Sequence, residues 1–175
     1  PPSHKELDLS VVVPVEDLAA LGDGVDTGLD DGAPASAPSI WPHVESHIVD
    51  LVAEHRSTIV FANSRRLTER LAARLNEEAA RRELGPLPVA DAPAQVMAQA
   101  GATLPVAETH VIARAHHGSV SREQRLQIEE DLKGGLLPAV VATSSLELGI
   151  DMGAVDLVVQ VESPPSVASG LQRIG

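Results

Sequence analysis

Length, composition and charge exclude several classes of protein. The chain has 175 residues, 43% of them apolar, which is enough for one domain with a core. It has no cysteine, which excludes disulfides, thiolate metal sites and a cysteine nucleophile, and its single Trp and single Phe leave almost no aromatic platform for base stacking. The net charge of -12 is concentrated in residues 1–55, which hold 11 acidic residues and 1 lysine, so charge neither supports nor excludes nucleic-acid binding by the remainder.

The first third of the chain combines a predicted strand, an insertion and a helix. Leu7–Leu18 contains a β-branched run that predicts a strand, with Pro14 at its end or at a sheet edge. Residues 21–39 are rich in Gly, Asp, Ala and Pro, which predicts a flexible insertion and not a calcium loop, because the spacing and the glutamate of such a loop are missing. From Trp41 a helix is predicted, and its apolar face holds Val44, Ile48, Leu51 and Val52.

The middle of the chain predicts a buried strand, a helix and a second insertion. Ser57–Ser64 contains a short apolar run bounded by polar residues, as in a buried parallel strand. The next segment predicts an amphipathic helix with Leu67, Leu71 and Leu75 on one face. Residues 84–108 are rich in proline and predict a loop insertion.

The last third repeats the alternation. A strand is predicted over Val111–Ala113, followed by a loop and a helix that Ser121 caps with Gln124 as its partner. The buried run Ala139–Ala142 predicts a third strand and Val155–Val161 a fourth. A short helix closes the chain, and Leu171 and Ile174, three residues apart, start its apolar face.

This alternation predicts an α/β fold with a mainly parallel sheet and helices on both faces. In such sheets the functional residues lie beyond the carboxyl ends of the strands. Four segments occupy these positions, and they share small hydroxyls, Gly, His and Arg: Ala62–Arg65, His116–Ser119, Thr143–Ser145 and Glu162–Pro165.

The chemistry of these segments suits phosphate oxygens, because hydroxyls and backbone amides at helix starts donate to them. However, the sequence has no GxxxxGK[ST] loop, no GxGxxG and no GxSxG elbow. It therefore contains no complete catalytic constellation, and a phosphate site here would be half of a site.

Each candidate residue also has a simpler structural interpretation. Asn63 and Ser64 are suitable helix caps, and Thr143 and Ser144 are suitable turn residues. Gly149 suits a helix C-cap and Asp151 a solvated surface acid. His116 and His117 suit surface positions, and two arginines suit a solvated helix face paired with glutamates: Arg70 and Arg74 with Glu69, Glu77 and Glu78.

The motifs, taken in order, resemble those of superfamily-2 helicases. STIVFANSRRLTERLAARL resembles motif IV and the helix after it, and ARAHHGSVSREQR resembles the His-Gly segment that follows. VVATSSLELGIDMGAVDLVVQVESP is similar to motif V and its following strand, and SGLQRIG is similar to the opening of motif VI. The residues that make up these motifs most resemble those of the large helicase-related (Lhr) family of DNA helicases, and the resemblance extends over most of residues 7–175.

The resemblance implies a second RecA-like domain of the P-loop NTPase type, with three αβα layers and no phosphate-binding loop of its own. Residues 1–175 would form this helicase C-terminal domain, truncated within motif VI. The first RecA-like domain, in cis, would supply the ATP-binding loop and hold Mg²⁺. The implied function is that of a motor domain in an ATP-dependent DNA helicase or translocase that takes part in DNA repair, inactive as an isolated fragment.

The resemblance also implies roles for individual residues. Nucleotide-site positions of motifs V and VI would contact ATP: Gly149, Asp151, Gln172 and Arg173. Backbone-binding positions would hold single-stranded DNA or the backbone of a DNA or RNA duplex: Asn63, Ser64, Arg65, His117, Gly118, Ser119, Thr143 and Ser144. No residue is assigned to a metal.

Two other functions fit the same residues. A related RNA helicase would share the motor but not the substrate, and a non-catalytic α/β binding module would share only the fold. Substrate choice, polarity of translocation and oligomeric state are not encoded in these motifs.

Overall fold

The computed structural model describes residues 8–15, 39–84, 111–147 and 155–174. The chain divides into two compact units, Pro1–Val44 and Glu45–Gly175. The predicted insertions at 21–39 and 84–108 lie outside the described residues except at Ser39 and Leu84. No helix in the described part of the chain has the length and apolarity that crossing a membrane would require.

The strand predicted within Leu7–Leu18 is wrong for the residues that the structure describes there. Residues 8–15 form no strand, and Val11 is 93% exposed. A β-branched run becomes a strand only where a neighbouring strand accepts its hydrogen bonds, and none of the described residues pairs with this segment.

The second unit alternates strands and helices as predicted. Helix α1 spans Trp41–Glu54 and crosses the boundary between the units, β1 spans Thr58–Phe61, and α2 spans Arg65–Leu84. The remaining elements follow in chain order: β2 Ala113–His116, α3 Arg122–Gly134, β3 Ala139–Ala142, a 3₁₀ turn Ser144–Leu146, β4 Leu157–Gln160 and α4 Val167–Ile174.

The four described strands form one parallel sheet in the order β2-β3-β1-β4. Thr58 is in register with Ala139 on one side and with Leu157 on the other, and Ala113 is in register with Ala139. The carboxyl ends of all four strands therefore meet at one edge, which is the edge where the sequence places its candidate loops.

The core lies on both faces of this sheet. On one face Ile128 and Leu132 of α3 pack with Ile59, Phe61 and Val140 in a single apolar cluster. Alternate strand residues point to the opposite face, where Val60 and Val141 are also fully buried. Helix α2 packs against β2 and β3 and buries Leu71 and Leu75. The α/β prediction with a parallel sheet is thus confirmed.

Two details differ from the sequence prediction. The second strand begins at Ala113, where the prediction ended it, so His116 is a strand residue and not a loop residue. On α4 the predicted apolar face is wrong, because Leu171 is 60% exposed and Arg173 is the buried residue. The inner side of α4 meets polar groups at the carboxyl edge of the sheet, so a side chain that can form several hydrogen bonds is buried there instead of leucine.

Candidate nucleic-acid and nucleotide interface

The loop after β1 starts helix α2 and reaches two neighbouring loops. Ser64 Oγ accepts a hydrogen bond from the backbone N–H of Leu67 at 3.2 Å, so Ser64 is the helix cap that the simpler interpretation expected. Arg65 Nη1 donates to Ser119 Oγ at 2.8 Å and links this loop to the loop after β2. Asn63 Nδ2 donates to the carbonyl oxygen of Ser163 at 2.8 Å and links it to the loop after β4.

The loop after β2 is held by a buried histidine. His117 is 5% exposed, so its interpretation as a surface residue is wrong. Its Nδ1 accepts from the backbone N–H of Ser119 at 3.2 Å, which leaves the proton on Nε2, and Nε2 donates to Glu69 Oε1 at 2.5 Å. This pair of hydrogen bonds fixes the turn in which Gly118 and Ser119 are exposed.

The last residue of β2, His116, is completely buried, so its surface interpretation is also wrong. Its Nδ1 lies 2.8 Å from Ser145 Oγ and its Nε2 lies 3.1 Å from Glu129 Oε1. Burial lowers the pKa of the His116 imidazole below its usual value, and the Glu129 carboxylate offsets part of that shift. His116 therefore connects the loop after β3 with helix α3.

The segment after β3 carries the hydroxyls predicted to hold phosphates. Thr143 precedes the 3₁₀ turn, yet its side chain makes no capping hydrogen bond and lies 3.4 Å from Ser145 Oγ. Ser145 Oγ donates to the carbonyl oxygen of His116 at 2.9 Å. Ser144, the first residue of the turn, is exposed at the edge of the sheet. The predicted roles of Thr143 and Ser144 in phosphate binding stay predictions.

The predicted nucleotide residues divide into three groups. Gln172 is exposed on α4, while Arg173 is 1% exposed and donates through Nε to Glu147 Oε1 at 2.9 Å. Gly149 and Asp151 lie outside the described residues. The structure thus brings together the loop residues at one edge but turns Arg173 inward.

The sequence prediction did not place four residues at this edge, namely Glu69, Glu129, Glu147 and Gln160, and it included Ser145 in a candidate segment without a partner. Each pairs with a predicted residue or its neighbour across a gap of 13 to 48 positions. Spacing along one helix or strand carries no signal for such pairs. The one available signal is a surplus of hydrogen-bonding side chains close to strand ends, which by itself does not identify partners.

The surface arginines fit the simpler interpretation only in part, because Arg74 pairs with a glutamate as expected but Glu69 pairs with His117 instead. Arg74 Nη1 lies 3.0 Å from Glu77 Oε2. Glu78 pairs with Arg81 and Arg82, and Arg82 also reaches Asp50 of α1 at 2.6 Å. These contacts hold α1 against α2 and do not extend the candidate interface.

Comparison with known proteins shows to which family the chain is similar. The protein-family model of the helicase conserved C-terminal domain matches residues 93–175. The whole chain aligns with the Lhr helicase and probable uracil glycosylase of Mycolicibacterium smegmatis at 58% identity and with the Lhr helicase/uracil glycosylase of Escherichia coli at 54%. The chain spans 11% and 12% of the lengths of these two relatives.

A solved structure shows the same similarity in three dimensions. The structure of Mycobacterium smegmatis helicase Lhr bound to ssDNA and AMP-PNP superposes with a TM-score of 0.57 at 59% sequence identity. The match covers 82% of this chain and 16% of that one. Most of this chain therefore has a counterpart in a protein whose structure was solved with ssDNA and AMP-PNP bound.

Proposed function

Because this chain belongs to the Lhr family of superfamily-2 helicases, as its helicase C-terminal domain, we propose that it works as the second motor domain of a longer ATP-dependent DNA helicase or translocase. A first RecA-like domain in cis would bind ATP and Mg²⁺, and this domain would complete the nucleotide site. We further propose that the longer protein takes part in DNA repair in the cytoplasm. The observation that carries the proposal is the convergence of four polar loops at one edge of a parallel sheet.

The loops after β1 and β3 suit the phosphate backbone of a nucleic acid. The hydroxyls of Thr143 and Ser144 and the guanidinium of Arg65 are donors to phosphate oxygens, and such contacts carry no information on base identity. Arg65 already shares a hydrogen bond with Ser119 and so positions the Gly118–Ser119 turn on the same path. We assign Gly118 and Ser119, together with His117 behind them, to the same surface.

The nucleotide side of the domain is formed by motifs V and VI. We assign Gly149, Asp151 and the exposed Gln172 to contacts with ATP across the cleft to the first domain. We assign the magnesium ion to that first domain, because the phosphate-binding loop and the acidic residues that hold Mg²⁺ in motors of this kind would lie there. Closure of the two domains around ATP and reopening after hydrolysis would alternate the grip on the strand.

The chain by itself lacks a phosphate-binding loop, so the isolated domain should hydrolyse no ATP. In the full-length protein, single-stranded DNA should stimulate ATP hydrolysis, and Thr143→Ala should lower that stimulation and duplex unwinding about tenfold through loss of a charge-assisted hydrogen bond. Ser46→Ala, which removes a hydroxyl on α1 outside the four loops, is the matched control.

Turnover by the isolated domain, or unchanged DNA stimulation in Thr143→Ala, would contradict the proposal. Unwinding of matched DNA, RNA and hybrid duplexes by the full-length protein separates a DNA helicase from an RNA helicase. The gene on either side of this segment separates both from a binding module, since a motor requires an upstream GxxxxGK[ST] loop with an acidic box.

A further inference from the structure

Arg173 is the largest of the fully buried side chains in the described part of the chain, although it is charged. Its Nε donates to Glu147 Oε1 at 2.9 Å, while Nη1 donates to Gln160 Oε1 and Nη2 to Asn63 Oδ1, both at 3.4 Å. The guanidinium carbon also lies 4.9 Å from the centre of the Phe61 ring, within the range of a cation–π interaction.

This burial decides what Arg173 is able to contact. Only 1% of the side chain is exposed, so a nucleotide would reach the guanidinium only if it left the Glu147 carboxylate. Breaking a buried ion pair leaves an uncompensated charge in a low dielectric, which is strongly unfavourable. Its neighbour Gln172 is exposed and faces no such barrier.

The partners of Arg173 belong to three different segments of the carboxyl edge. Asn63 follows β1, Gln160 ends β4, and Glu147 ends the segment that Thr143 begins. A single planar cation on α4 thus joins the loops that we assign to the phosphate backbone with the helix that carries Gln172. Arginine suits this task because its donors form a rigid fork that lysine lacks.

Asn63 links Arg173 to the loop after β4. Its Oδ1 accepts from Arg173, its Nδ2 donates to the carbonyl oxygen of Ser163, and its backbone N–H donates to Glu162 Oε2 at 2.7 Å. The side chain assigned to nucleic acid by motif is therefore engaged within the domain at both polar atoms. Asn63 ties the loop after β1 to the loop after β4, where it also meets Arg173.

We propose that Arg173 is a positioning residue that couples nucleotide binding to nucleic-acid binding. Through Glu147 and Asn63 it makes the phosphate-binding loops and α4 move as one body, so a shift of α4 on nucleotide binding changes the grip on the strand. This inference rests on the proposed function, and it replaces the direct contact with ATP that the motif resemblance implied for Arg173.

The test measures coupling in the full-length protein. The dissociation constant of an oligo(dT) strand is determined with and without AMP-PNP, and that of AMP-PNP without DNA, for wild type, Arg173→Gln, Arg173→Lys and Glu147→Gln. We expect AMP-PNP to tighten oligo(dT) binding at least about fivefold in the wild type, and this factor to fall towards one in all three variants. The affinity for AMP-PNP without DNA should stay within about twofold.

Arg114→Gln is the matched control, because it removes an arginine of β2 that is half-exposed and pairs with Asp131 at 3.3 Å, away from α4 and its partners. It should keep the wild-type coupling factor. Glu147→Gln keeps the shape of the side chain and its acceptor oxygen, so it carries the test if Arg173→Gln does not fold.

Two results would overturn the inference. An Arg173→Gln protein that loses AMP-PNP affinity about tenfold without DNA would make Arg173 a nucleotide contact. Variants with a lower unfolding midpoint but wild-type coupling would make it merely structural. Failure of the proposed function is distinguishable, since the wild type itself would then show no DNA-stimulated ATP hydrolysis.

Discussion

Two buried charged side chains of this domain are in opposite situations. Arg173, at the carboxyl edge of the sheet, has a carboxylate, two amide oxygens and an aromatic ring around its guanidinium. Glu45, on α1, is 7% exposed, and its Oε1 has no hydrogen-bond partner among the described residues. The charge of Arg173 is compensated by its partners, while that of Glu45 is avoided in part at neutral pH, because the carboxyl binds a proton.

The pKa of Glu45 records this difference. Burial raises it from 4.5 to about 7, Arg74 opposes that change, and Glu77 and Glu78 add to it. A buried carboxyl with too few partners binds a proton, whereas an arginine stays charged and must be paired. The comparison teaches that burial alone does not mark a functional charge; a complete set of partners drawn from several loops is the better indicator.

The largest effect on folding stability is expected from Arg173→Met. The substitution leaves the Glu147 carboxylate buried and unpaired, which should lower the free energy of unfolding by about 3 kcal/mol. Urea unfolding of the purified domain measures the change. The double variant Arg173→Met/Glu147→Leu should recover much of the loss, because it removes both charges, and a double variant that is less stable than the single would contradict this account.

A smaller effect of opposite sign is expected from Glu45→Gln. Since the pKa of Glu45 is higher in the folded than in the unfolded state, the wild type loses stability as pH rises from about 4.5 to about 7. Glutamine does not ionise, so the variant should be about 2–3 kcal/mol more stable than wild type at pH 8 and less than about 1 kcal/mol more stable at pH 5.

Urea titrations at the two pH values measure this difference. Glu130→Gln, which changes an exposed carboxylate on α3 that is not among the groups shifting the pKa of Glu45, serves as control, and its stability relative to wild type should differ little between the two pH values. If Glu45→Gln is stabilised equally at pH 5 and pH 8, ionisation of the Glu45 carboxyl is not what lowers the stability of the wild type.

Asn76→Ala should remove the hydrogen-bond partners of several backbone groups at the start of β2. Asn76 Oδ1 accepts from the backbone N–H groups of Ile112 and Ala113, and Nδ2 donates to the carbonyl oxygen of Ala113. These bonds lie at the start of β2, the outermost of the four described strands on that side, and their loss should cost about 1–2 kcal/mol because it leaves buried backbone groups without partners. Faster hydrogen exchange at the amides of Ile112 and Ala113 should accompany the loss, and unchanged exchange would argue against this role.

Ser121→Ala should have the smallest effect. Ser121 Oγ accepts from the backbone N–H of Gln124 at 3.2 Å and caps α3 at an exposed position. Water replaces the hydroxyl there, so the cost should be about 1 kcal/mol or less, measured by urea unfolding. If Ser121→Ala lost as much stability as Arg173→Met, the loss would not depend on how deeply the polar group left without a partner is buried.

The elements with a clear period or a bounded apolar run were predicted well. The third strand was predicted at Ala139–Ala142 and lies there, and of the leucines predicted on the apolar face of α2, Leu71 and Leu75 are buried while Leu67 is half-buried. The start of α3 was predicted from Ser121, whose hydroxyl caps it. These features depend on residues close together in the chain, so local pattern was sufficient to find them.

The errors have a common physical origin. The strand predicted within Leu7–Leu18 needs a partner strand, and the apolar face predicted for α4 needs an apolar surface beneath it. His116 and His117 are individually suited to a surface, but each ring finds acceptors and donors on other elements. Whether a polar residue is buried depends on what meets it in three dimensions, which propensity does not encode.

The sequence by itself determined the alternation of strands and helices, the edge at which the polar loops meet and the motif series that identifies the family. It could do so because periodicity, helix capping and sequence motifs depend on residues that lie close together in the chain. Only the tertiary structure decided which polar groups are paired, and so turned Arg173 inward to Glu147 and Asn63 while leaving Glu45 short of partners. The physical reason is that the free energy of a buried charge depends on groups far away in the chain that folding brings within hydrogen-bonding distance.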